Sequence, residues 1–201
     1  MIPAIILSAG KSSRMGRTKA IMPLNDGHTF VSRIVTTFRE ADVDDIVIVV
    51  GHDSDAVTNA VETAGLSARV VLNRAYESGQ LSSILAGLSV ADRPGVQGVL
   101  LTLVDVPLVL SSTVKAVVER YRSARPAVVR PVSGIRHGHP ILLDRTLFEQ
   151  IRAADPAVGI KPIVRAFASP AGDVPVNDEG AFVDIDTPDE YERVTQWGLD
   201  C

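Results

Sequence analysis

Cysteine is nearly absent: the only one in 201 residues is Cys201, so no internal disulfide can form. That usage suits a reducing compartment. A basic excess is absent too. With 24 acidic against 20 basic residues the net charge is −4, which argues against a general electrostatic grip on nucleic acid. No apolar run approaches the ~20 residues of a membrane helix, and the most apolar stretch, Val96 to Leu110, carries Asp105 and Pro107 in its middle. The N-terminal IPAIIL has its charges after it rather than before it, the reverse of a secretory signal. Low-complexity linkers and internal repeats are also lacking. The expectation is a soluble, cytoplasmic protein with neither a membrane nor a nucleic-acid partner.

What is present is an ordinary globular composition, 46% hydrophobic and 22% charged. Short β-branched runs recur at Ala4–Leu7, Ile46–Val50, Arg69–Leu72 and Val99–Val104. Runs that are apolar without alternation are typical of strands buried on both faces. Helical patterns separate them. Phe30, Val31, Ile34, Val35 and Phe38 share one face, 56–64 reads as a helix capped by Gly65, and stripes recur at Leu81–Leu88 and Val114–Tyr121. Strands alternating with helices imply βαβ units and a parallel sheet. After Pro126 the rhythm changes. Strands are expected at 127–132 and 139–143 around a loop at 133–138, then two helical pieces, then a last strand at 181–186. Thr187-Pro188-Asp189-Glu190 is a helix start, with Thr at N-cap, Pro at N1 and Glu at N3. The expected fold is one doubly wound, mostly parallel α/β domain spanning residues 1–201.

Directly beyond the first strand lies Leu7-Ser8-Ala9-Gly10-Lys11-Ser12-Ser13-Arg14-Met15-Gly16-Arg17-Thr18-Lys19. Open α/β sheets bind ligands at that edge. Glycine lets backbone N–H groups approach phosphate oxygens, and Arg14 and Lys19 are suited to charge on a transferring phosphoryl group. The loop is not a Walker A motif, because Ile5 stands where that pattern needs glycine, and G-x-G-x-x-G is absent. Seen alone, it also fits a solvated basic turn. Asp105 closes the apolar run GVLLTLV, where a buried carboxylate needs solvent, a cation or donors. A Mg²⁺ on a nucleoside triphosphate takes one or two such carboxylates, although a turn acid before Pro107 is the plainer alternative.

The loop L-x-A-G-x-S-x-R-M-G-x-x-K resembles the signature of nucleotidyltransferases that attach a nucleoside monophosphate to an acceptor phosphate, and is most similar to the molybdenum cofactor cytidylyltransferases of the MobA-like group. Further motifs follow in the family's order: Asn73, Gly79, Ser82, Ser83, Gly87 and Leu88 of N-x5-G-x-x-S-S-x3-G-L, then Asp105-Val106-Pro107, Gly138-His139-Pro140 and Asp184 to Pro188. The resemblance implies the nucleotide-diphospho-sugar transferase fold and transfer of CMP from CTP to a molybdopterin-type acceptor with release of pyrophosphate. Leu7, Ser8, Ala9, Gly10 and Ser12 would hold the triphosphate, with Arg14, Lys19 and Asp105 catalytic. Gly79, Ser82 and Ser83 would line the nucleoside pocket and His139 the acceptor side. Mg²⁺, or Mn²⁺, would sit on Asp105 with a second ligand, Asp186 or Asp184. Asp186 also fits a plain helix-start role, and His137 and His139 a polar turn. A molybdoenzyme or its maturation factor is the implied protein partner.

Ala9 is similar to the cytidylyl branch, whereas the guanylyl branch tends to carry glycine there. Ser8, Thr18, Val106 and Lys161 depart from the family's usual Ala, Pro, Met or Gln, and Arg. A guanylyltransferase of the same fold, a sugar-1-phosphate nucleotidyltransferase, many of which are longer, and a catalytically silent nucleotide-binding or chaperone module are the alternatives. His28, His52 and Cys201 carry no spacing argument and are read as structural.

Overall fold

The computed structural model describes residues 1–196; Cys201 lies outside them. The chain begins with β1 (Ala4–Ser8), α1 (Phe30–Glu40), β2 (Ile46–Val50), α2 (Ser54–Thr63), β3 (Arg69–Leu72), α3 (Gln80–Ala91), β4 (Gly98–Leu103) and α4 (Ser111–Ala124). It continues with β5 (Val128–Ser133), β6 (Arg136–His137), β7 (Ile141–Asp144), α5 (Phe148–Arg152), α6 (Lys161–Phe167), β8 (Asp173–Pro175) and α7 (Pro188–Gln196). Strand order is β3-β2-β1-β4-β7-β5-β6, with β8 beside β5. The four strands from β3 to β4 are parallel, and β7 joins β4 antiparallel. This is the single, mostly parallel sheet expected from the alternating pattern.

Alternate strand residues feed two cores. Ala4, Ile6, Ile48, Val50 and Leu100 pack with α1, α2 and α4. Ile5, Leu7, Val47, Val49, Val99 and Leu101 pack with α3 and α5 on the other face. Because β1, β2 and β4 are buried on both sides, they carry no polar alternation. Gly87 lets α3 lie close on the sheet: a Cβ there would stand 2.5 Å from Ile5 Cγ2.

From β1 the chain runs outward to β2 and β3, then returns to β4 on the other side of β1. The carboxyl ends of β1 and β4 therefore flank the point where the winding reverses, which is where such sheets leave a crevice. A small third cluster of Met15, Met22, Leu24, Phe30, Ile185 and Val194 ties the end of the long β1 loop to the C-terminal segment.

The second half departs from expectation in three places. Residues 181–186 are not a strand; Glu179–Phe182 is a 3₁₀ turn and the rest is irregular. The run is apolar because Ala181 and Ile185 are buried, not because it joins the sheet. β8, which was not anticipated, takes an edge beside β5, where Pro175 is tolerated. The expected loop at 133–138 contains β6, a two-residue return against β5. The start of α7 is as read: Glu190 Oε2 accepts the N–H groups of Asp186 and Thr187 at 2.8 Å, and Glu190 N–H reaches Thr187 Oγ1 at 3.3 Å.

Candidate active site

The loop after β1 folds back on itself. Ser12 takes a left-handed φ of +48°, its carbonyl accepts Met15 N–H at 2.9 Å, and its hydroxyl accepts Lys19 N–H at 3.2 Å. Lys19 is thereby turned inward. It is one of few charged side chains in the molecule to be buried, at 7% exposure. The resulting cleft is lined by Leu7, Ser8, Ala9, Gly10, Ser12, Thr18 and Lys19 on one side and by Tyr76, Gly79, Gln80, Ser83, Leu103 and Asp105 on the other. A second hollow, formed by Ser12, Ser13, Arg14, Lys19 and Asp186, adjoins it through Ser12 and Lys19.

Charge is concentrated where the two hollows meet. Lys19 Nζ stands 3.6 Å from Asp105 Oδ2 and also pairs with Asp186. Arg14 pairs with Asp186 at 3.2 Å. Burial pushes the Asp105 carboxyl above the usual carboxylate range; the Lys19 ammonium opposes that shift, while Asp184 and Asp186 add to it. Asp184 is likewise raised by burial, with His139 opposing and Asp186 adding. Ile185 explains how these carboxylates arrive together. It is fully buried between the two aspartates and its N–H donates to the Asp105 carbonyl at 2.8 Å.

The buried Asp105 Oδ1 has no hydrogen-bond partner. An anionic oxygen left that way costs free energy unless a cation meets it. Among the described residues no ready-made cage of three or more His, Cys, Asp or Glu side chains exists. The donors present, Asp105 and Asp186 meeting at Lys19, suit a divalent cation that accepts one or two carboxylates and completes its shell with phosphates and water.

The nucleoside-side residues divide. Gly79, at φ +100°, and Ser83 lie on the cleft wall. Ser82, expected there, does not: its hydroxyl donates toward the Ala75 and Gly79 carbonyls at 2.9 and 2.8 Å. The Asn73 amide donates to both serine hydroxyls, at 2.9 and 3.0 Å. Asn73 and Ser82 thus build the turn that opens α3. His139 lies off the cleft, with Nδ1 3.4 Å from the Leu101 carbonyl. Its imidazole is held below its usual pKa chiefly by burial, with the Leu101 carbonyl and the Asp184 charge opposing that shift. Exposed His137 stands away from both hollows. Tyr76, Gln80, Leu103 and Thr18 line the cleft without having been singled out for it. Tyr76 and Gln80 carry a weak signal because each is isolated outside any strand–loop pattern, whereas Leu103 and Thr18 lie within the β4 run and the loop after β1.

The family model of the MobA-like NTP transferase domain matches residues 4–172. The chain belongs to this nucleotidyltransferase family. Among curated relatives, the nicotine blue oxidoreductase of Paenarthrobacter nicotinovorans is 27% identical over 200 residues, 96% of each chain. A probable molybdenum cofactor guanylyltransferase of Opitutus terrae is 30% identical over 64% of this chain and 60% of its own. The match to the bifunctional protein GlmU of Sinorhizobium fredii, 30% identical, spans 63% of this chain but only 27% of GlmU. The solved structure of Rv0371c from Mycobacterium tuberculosis superposes with a TM-score of 0.82 at 26% identity, covering 97% of each chain. Rv0371c has also been solved in complex with manganese.

Proposed function

We propose that this MobA-like chain moves CMP from CTP onto the phosphate of a molybdopterin-type acceptor. The observation that carries the reading is the meeting of Lys19, Asp105 and Asp186 at the winding reversal, around an Asp105 oxygen that has no protein partner. Backbone N–H groups of Ala9, Gly10 and Ser12 would cradle the triphosphate. Arg14 and Lys19 would meet charge on the α-phosphate and on the departing pyrophosphate. The acceptor phosphate oxygen attacks the α-phosphorus, the bond between α-phosphorus and the bridging oxygen breaks, and pyrophosphate leaves with that oxygen. Little covalent chemistry is asked of the protein, so orientation and charge placement supply most of the rate.

Asp105 and Asp186 would hold a Mg²⁺ or Mn²⁺, which when bound neutralises phosphate charge and polarises the reacting phosphorus. Asp184, two residues before Asp186, would tune that pair electrostatically. Residues 1–201 would act as one cytoplasmic nucleotidyltransferase unit and pass the product to a molybdoenzyme or its maturation factor. Ala9, where the guanylyl branch of the family tends to carry glycine, supports the cytidylyl reading. The guanylyl reading is favoured instead by the likeness to the Opitutus protein.

Titrating the protein with CTP and with GTP, each with Mg²⁺, decides between them through the melting temperature. A ligand at 100 times its dissociation constant stabilises by about 2.7 kcal/mol. Larger stabilisation by CTP is expected. A preference for GTP moves the chain to the guanylyl branch, and no response to either removes the nucleotide reading in favour of a silent module.

A further inference from the structure

We propose that the turn Gly51-His52-Asp53, between β2 and α2, is a positioning bracket that holds the phosphate loop and one wall of the nucleotide cleft in register. The inference rests on the nucleotide reading of that cleft. None of the three residues lines either hollow, yet each touches something that does. His52 N–H donates to the Ala9 carbonyl at 3.1 Å, gripping the beginning of the loop. Asp53 Oδ2 accepts the Thr18 hydroxyl, gripping its end one residue before Lys19. Gly51 packs between the two walls: a Cβ there would stand 2.7 Å from Tyr76 Cβ and 2.8 Å from the Ala9 carbonyl oxygen. The His52 and Tyr76 rings lie 6.2 Å apart, tilted by 51°.

Asp53 shows that this arrangement is held at local expense. It stands at the N-cap of α2, where an aspartate ordinarily accepts an N–H of its own helix. Here it makes no such bond and sits at φ +50°, a conformation that costs most non-glycine residues. Its carboxylate instead reaches the Thr18 hydroxyl, 35 residues back in the chain. A residue that gives up its cap and takes a left-handed backbone to reach the residue before Lys19 is placed for the loop rather than for the helix. Thr18 serves the same end. Its hydroxyl fixes the approach to Lys19, while Ser12 fixes the Lys19 backbone from the other side.

The test uses the full chain and calorimetric titration with Mg²⁺-CTP, Mg²⁺-GTP and inorganic pyrophosphate. Thr18→Val, which removes the hydroxyl and keeps the shape, should weaken binding of the preferred nucleotide about tenfold. Thr18→Ser should restore it. Asp53→Gly should weaken it equally while leaving the melting temperature unchanged or raised, because glycine accepts the positive φ without strain. The double variant should bind no worse than either single one, the mark of two groups acting through one bond. Wild-type affinity in Thr18→Val and Asp53→Gly overturns the bracket and leaves the nucleotide reading standing. So do additive losses, lowered melting temperatures and no rescue by serine, which would mark general structural damage. If the wild-type chain binds none of the three probes, the nucleotide reading falls and the bracket with it.

Discussion

Asp178 and Asp105 are both aspartates withdrawn from solvent next to the start of a helix or turn, and they are handled in opposite ways. Asp178 is buried, and its Oδ2 takes the Leu110 N–H at 2.9 Å and the Thr113 hydroxyl at 2.6 Å. Donors at the N-terminus of α4 consume its charge, so it caps that helix from 65 or more residues away. Asp105 keeps one oxygen with no partner at all, and its nearest cation is a lysine shared with Asp186. Asp92 makes the same contrast from the surface side. Arg145 and Arg152 pair with it, and the Arg152 hydrogen bond leads in holding its carboxyl below the usual range, whereas burial holds Asp105 above it. A satisfied acid stabilises the fold. An acid left short of partners among like charges is one that the fold by itself does not satisfy.

That contrast can be broken by exchange. The largest effect is expected at Asp105. Asp105→Ala should lower Mg²⁺-dependent transfer at least about a hundredfold while far-ultraviolet circular dichroism stays that of the wild type; full activity would remove Asp105 from the cation site. Asp178→Ala should do the reverse. It strands the Leu110 N–H and the Thr113 hydroxyl, so chemical denaturation should show a loss of about 2 kcal/mol, with turnover per folded molecule unchanged.

The pH dependence of stability sharpens the comparison further. A carboxyl whose folded pKa is raised contributes stability below its unfolded pKa and loses it as pH rises through the folded value. Asp105 and Asp184 therefore work against the fold near neutrality. Asp105→Asn should raise the melting temperature at pH 7, with the gain shrinking as pH falls through the raised folded value toward the ordinary carboxylate range; no gain at pH 7 would contradict the raised carboxyl. Asp92 has the opposite sign, its contribution being lost as pH falls through a depressed value. The smallest effect is expected there. Asp92→Asn leaves half-exposed arginines that water can serve, and its cost should stay below about 1 kcal/mol by denaturation.

The two halves of the chain were not equally legible. β2 is found at the residues where its apolar run begins and ends, because a strand buried on both faces must be apolar throughout; β3 also matches its run, although it is a half-buried edge strand that opens with Arg69. The loop beyond β1, and Asp105 beyond β4, could be placed at the ligand-binding edge for the same reason. Residues 181–186 misled, since burial of Ala181 and Ile185 imitates a strand without any ladder. Ser82 misled differently. Its pattern was visible, but a hydroxyl at that spacing serves a turn as readily as a nucleoside, and only the Asn73 and carbonyl partners choose the turn.

Local sequence by itself determined the elements of the first half, the glycine-bearing loop and the capping box of α7, because each depends on residues within a few positions of one another. The tertiary structure alone decided which carboxylates meet Lys19, that His139 lies off the cleft beside the Leu101 carbonyl, and that the turn at Gly51–Asp53 bonds to both Ala9 and Thr18 of the loop after β1. Those pairings join residues up to 167 positions apart. Their free energy comes from burial and charge at a distance, which no local pattern records.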